Sequence, residues 1–163
     1  MNRLKNFYEF YKTVNIVYFA IVGGLLLFMT TSYFLSVQQN FDINTNQNQI
    51  ILGGSLAIIL SFAAQYFFRI SLKKIDTKAD IKDKFSGYFN AFIIKLALLE
   101  GAAMVNIVFF YASANKIYLI FAGFILLLLL LAKANPDKIS TELKLNSEEK
   151  AYINQPEKYF SDF

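Results

Sequence analysis

The chain has 163 residues, 56% of them apolar, 17% aromatic and 17% charged, with a mean hydropathy of +0.40 and a formal net charge of +4. A soluble domain averages about 45–50% apolar and about 25% charged residues, and a chain this short has too little interior to bury such an excess. With no cysteine there are no disulfides, iron–sulfur clusters or thiol nucleophiles; with no histidine there is no bis-histidine haem, no usual zinc site and no Ser-His-Asp triad. Neither a cofactor nor a bound metal is expected.

Residues 1–12 read as a short interfacial helix, with Leu4, Phe7, Tyr8 and Tyr11 on one face. Four apolar runs follow, over about 13–36, 50–68, 86–111 and 117–132. A helix needs about 20 apolar residues to cross the hydrocarbon core, with a range of about 17–25. The fourth run is slightly short, but Lys116 and Lys133 can snorkel from its ends. Apolar residues surround each run instead of lining one stripe, as expected of helices bathed in lipid. The first run is too long for the core of a signal peptide and no A-x-A-like site follows it, so it reads as a retained helix. The expected fold is an all-α integral membrane protein: a four-transmembrane-helix bundle over 13–134 with short cytoplasmic C-terminal helices over 135–163.

The connecting segments set the orientation. Lys and Arg cluster before the first run (Arg3, Lys5, Lys12), between the second and third (Arg69, Lys73, Lys74, Lys78, Lys82, Lys84) and in the tail (Lys133, Lys138, Lys144, Lys150, Lys158). The 37–49 loop carries none, and the third loop carries only Lys116. By the positive-inside rule both termini and the middle loop lie in the cytoplasm. Asp76, Asp80 and Asp83 interrupt the basic middle loop, so nucleic acid is not an expected partner. Aromatic residues at the ends of the runs, such as Tyr66, Phe67, Phe68, Tyr88 and Phe110, read as interfacial belts. The outer loop, 38–49, reads as a solvated connector.

In the tail, Asn135 precedes Pro136 as a cap precedes proline at the first helical position. Asn146 with Glu149 three residues later has the form of a capping box opening a second short helix. Glu148 and Glu149 read as a solvated helix start, not as an acid/base pair.

Small residues mark candidate helix contacts. Ala20 with Gly24, and Ala97 with Gly101, repeat a small-xxx-small pair after a shift of 77 residues. Gly53, Ala57, Ser61 and Ala64 form a longer stripe on the second run, the best candidate for a tight contact within the chain or with a second copy.

The candidate polar site in the membrane consists of Lys95, Glu100 and Asn106. Ionisable groups at that depth cost about 2.5–3.5 kcal/mol on insertion scales and are functional candidates by default. Lys95 and Glu100 are five residues apart and so point about 140° away from each other, which excludes an intrahelical ion pair. Lys95 shares a stripe with Tyr88, Ala102, Asn106 and Ser113 and can snorkel towards the near interface. Glu100, near mid-span, is expected to face the protein interior, covered by a helix that Ala97, Gly101 and Ala103 allow close. There it is neutral, paired with the Lys95 of a neighbour, or hydrated.

Leu98 to Ala103 is superficially similar to the ion-binding helix of rotary-ATPase proteolipids. The glycine ladder of that family is absent, the predicted termini lie on the opposite side, and Glu100 sits in a third span, so no role is carried over. A second resemblance covers the last two runs and the tail. Leu99-Glu100-Gly101-Ala102-Ala103, the leucine-rich last run, Asn-Pro-Asp-Lys-Ile and Leu-Lys-Leu-Asn-Ser-Glu-Glu-Lys resemble small four-span inner-membrane proteins of Bacteroidota. This implies an inner-membrane location and brings no activity with it.

No nucleophile is matched with a base, so an enzyme is not expected. The expected function is that of a non-enzymatic accessory or scaffold subunit of a membrane complex, its partners being the bilayer and either another membrane protein or a second copy. The competing expectation is a small ion- or proton-coupled transporter or channel subunit using Glu100 and Lys95.

Overall fold

The computed structural model describes residues 6–37, 47–76 and 79–157. Among them are six α-helices: α1 (Phe7–Val37), α2 (Gln47–Lys73), α3 (Ile81–Ser113), α4 (Ile117–Leu131), α5 (Pro136–Glu142) and α6 (Ser147–Asn154). Three of these, α1, α2 and α3, are long and apolar enough to cross a membrane. The 15 residues of α4 rise only about 22 Å, less than the roughly 30 Å of a hydrocarbon core. By length and composition alone, α4 passes as a span only when taken together with α5, from which it is bent by 84°. The break has a local cause. Pro136 disfavours helical backbone at the residue before it, and Asn135 is extended at φ −132°, ψ 161°.

The α3 helix is the centre of the bundle and packs against α1, α2 and α4. Of its most apolar stretch 44% is buried, against 22% in α1 and in α2, so the latter two lie at the flanks. Large apolar side chains such as Phe19, Leu27, Phe62, Ile59 and Ile120 stand exposed on the outer surface. Parallel helices α1 and α3 run in register. Phe10 packs on Phe85 at one end, with ring centroids 4.8 Å apart, and Tyr33 stacks on Phe110 at the other.

Of the segment expected to be interfacial, residues 7–12 form the first turns of α1, and residues 1–5 lie outside the described residues. The predicted face is also rotated. Phe7 and Phe10 are buried while Tyr8 is 53% exposed, because the rings pack on Phe85 at the foot of α3. The outer loop from 38 to 46 also lies outside the described residues.

After the bend, α5 and α6 form a cap over the end of the bundle where α3 begins. Asn135 accepts the Lys138 amide at 2.7 Å, and Asn146 and Glu149 form the predicted capping box. Ile139, Leu143, Leu145 and Tyr152 bury their side chains in the same core as Phe7, Phe10 and Phe85. The cap also meets the start of α1: the Tyr8 amide donates to the Pro156 carbonyl at 2.9 Å, and the Asn6 side chain donates to the Glu157 carbonyl at 3.2 Å.

Candidate functional site

The buried stripe of α3 is the one predicted from Lys95. Tyr88, Lys95, Ala102 and Asn106 are all at most 4% exposed. This stripe extends one turn further back to Lys84, which lies within α3 and not in the basic loop, and which is 2% exposed. Lys84 forms a buried ion pair with Glu149 of α6. One turn on, the Tyr88 hydroxyl donates to Glu142 of α5 at 2.9 Å. These two contacts fasten both cap helices to α3. Glu149 is therefore a structural anchor and not a solvated charge, and Tyr88 is a core residue and not part of an interfacial belt. Phe110, also assigned to a belt, is buried too.

Lys95 comes next along the stripe. Its ammonium lies over the Phe68 ring, 4.5 Å from the centroid, a cation–π contact of order 0.5–2 kcal/mol. It lines a cavity of about 410 Å³ enclosed by α2, α3, α4 and α5. Around the same cavity stand Gln65 and Arg69 of α2, Leu131 of α4, and Lys138 and Glu142 of α5. Three basic side chains thus face one carboxylate, which already accepts the Tyr88 hydroxyl. No ion pair or hydrogen bond reaches the Lys95 ammonium from the described residues.

Glu100 departs from expectation. It is half-buried and stands beside Ala97, Gly101 and Met104, all exposed. The small residues would permit a close neighbour, but α1, α2 and α4 occupy the other faces of α3, and a Cβ on Gly101 would meet nothing within 4 Å. The same holds for Gly24, and Ala20 is exposed. Neither Ala-x-x-x-Gly pair forms a helix contact within the chain.

The stripe on α2 does. Gly53, Ala57 and Ala64 are buried, Ser61 is half-buried with its hydroxyl oxygen enclosed, and Gly53 meets Asn106 and Tyr118. Asn106 is wholly buried, and its amide donates to the Ala102 carbonyl at 2.9 Å and to the Gly53 carbonyl at 3.3 Å. Asn106 thus joins α2 to α3. It lies eleven residues beyond Lys95, about 16 Å along the axis. Lys95, Glu100 and Asn106 therefore occupy three separate environments, and Lys95 is the one of the three that lines the cavity beneath the cap.

No family model, curated protein or solved structure matches the chain.

Proposed function

We propose that this is a non-enzymatic, four-span protein of a bacterial inner membrane, serving as an accessory or scaffold subunit of a membrane complex. The observation that carries this reading over ion-coupled transport is the separation of Lys95 from Glu100. Lys95 lies in the cavity beneath the cap, whereas Glu100 stands on the opposite, open side of α3. Between the cavity and the far end, the bundle interior is filled by Leu96, Leu99, Ala103, Ile107, Ile125 and Leu129, each at most 1% exposed. The two ionisable groups share no polar route. In this reading α4 is the fourth crossing, extended by Lys116 and Lys133 at its two ends. The crowding of Arg69, Lys73, Lys74, Lys82 and Lys84 at the capped end supports a cytoplasmic cap.

Affinity purification of the full chain from mild detergent tests the proposal. A stoichiometric membrane-protein partner is the expected result. A homo-oligomer that carries ions in liposomes, and stops doing so in Glu100→Gln, would overturn it in favour of transport.

A further inference from the structure

The cavity beneath α5 is built around a charge imbalance. Lys95, 4% exposed, brings a cation to its floor with no direct ion pair, and Arg69 and Lys138 add two more, so that three cations share the cavity with the single negative charge of Glu142. Glu142, the carboxylate in the lining, is engaged by Tyr88. Holding a surplus of positive charge at this depth is costly, and the ring face over Lys95 and the one carboxylate offset part of that. An anion would offset the rest.

The position of the opening says which kind of anion. Gln65 and Arg69 are exposed on the α2 side, and Leu131, 69% exposed, stands on the α4 side. Leu127 and Phe124 continue the exposed apolar surface of α4 away from the cap. The opening thus has basic and amide groups beside it and an apolar flank leading away towards mid-membrane. A molecule with a single negative group and long apolar chains fits both parts.

We infer that the cavity holds the phosphate of an anionic phospholipid headgroup, with Lys95 beneath it, Arg69 and Lys138 at its sides, and the acyl chains along α2 and α4. The feature recognised is a phosphate whose charge is not balanced by a cation in the same headgroup. The apolar flank assigns it to a lipid and not to a water-borne phosphate ester. This inference does not depend on the accessory role proposed above.

Native mass spectrometry of the full chain in detergent, with phosphatidylglycerol and phosphatidylcholine in competition, provides the test. The expected result is a preference of about tenfold or more for phosphatidylglycerol, with about fivefold of it lost in each of Arg69→Gln and Lys138→Gln. Lys95→Met should abolish the preference and Lys95→Arg should retain it. Arg69 and Lys138 lie nearer the opening and are less buried than Lys95, so their variants test the site even if Lys95→Met fails to fold. Equal retention of the two lipids, or a preference unchanged by Arg69→Gln and Lys138→Gln, would overturn the proposal. Displacement of phosphatidylglycerol by millimolar glycerol phosphate would overturn the lipid assignment and leave a site for soluble phosphate esters.

Discussion

Gly53 of α2 and Tyr118 of α4 approach so closely that a Cβ on Gly53 would lie 2.8 Å from the tyrosine ring and 2.9 Å from the Asn106 oxygen. Three helices meet there with no room for a methyl group. Gly53→Ala should therefore destabilise the bundle by about 1–3 kcal/mol, the usual cost of overpacking. Gly24→Ala and Gly101→Ala, which meet open space, should be neutral or slightly stabilising through helix propensity. Thermal melting of the three variants in one detergent compares them directly.

The Lys84–Glu149 pair is largely shielded from solvent, with the Lys84 side chain buried at 2% exposure and that of Glu149 half-buried at 15%. Removing one member of such a pair costs about 3–5 kcal/mol because the other charge is left uncompensated. Glu149→Gln should release α6, so that its amides exchange hydrogen at nearly unprotected rates while those of α3 beyond Leu99 remain slow. The double variant Lys84→Met/Glu149→Gln removes the orphaned charge, keeps a side-chain acceptor for the Asn146 amide and should restore much of the protection. Unchanged α6 exchange in Glu149→Gln would show that the pair does not anchor the cap.

Lys144 ends α5 in the left-handed conformation at φ 51°. The Leu145 amide donates to the Ser140 carbonyl at 3.1 Å and the Lys144 amide to Thr141 at 3.2 Å, the bonding pattern in which glycine normally fills the left-handed position. Lysine bears a steric penalty there that glycine avoids. Lys144→Gly should stabilise the cap by roughly 0.5–1 kcal/mol after allowing for the greater freedom of glycine in the unfolded chain. Slower hydrogen exchange in α5 and α6 is the readout.

Orientation can be read with reporter fusions after residue 43, after residue 78 and at the C-terminus. A cytoplasmic cap predicts an external signal from the first and cytoplasmic signals from the other two. A cytoplasmic signal at residue 43 would invert the arrangement.

The long helices were legible because a period is not needed to recognise a lipid-bathed segment; an unbroken apolar run suffices. The α3 stripe was legible too, since Tyr88, Lys95, Ala102 and Asn106 fall at helical spacing. Lys84 belongs to that stripe, four residues before Tyr88. It was read as a loop charge because the span was started at residue 86, five residues after the helix begins. Its partner Glu149 lies 65 residues away, and nothing local announces a pairing over such a distance. Glu100 failed for a different reason. Small neighbours show that a helix could come close, but only the placement of α1, α2 and α4 decides whether one does. The caps at Asn135 and Asn146 were predictable because their bonds close within three residues, whereas the direction taken after Pro136 depends on what the cap packs against.

The bonds joining Asn6 and Tyr8 to Pro156 and Glu157 close a loop of about 150 residues. Chains emerge from the ribosome start first, so this closure cannot occur until nearly all of the described chain has been made. Until then Phe7, Phe10 and Phe85 lack their cover, and Lys84 has no counter-charge. A chain lacking α6 would leave these rings without Tyr152 and Lys84 without Glu149. The clasp therefore couples the two ends of the described chain, so that loosening either one uncovers the other.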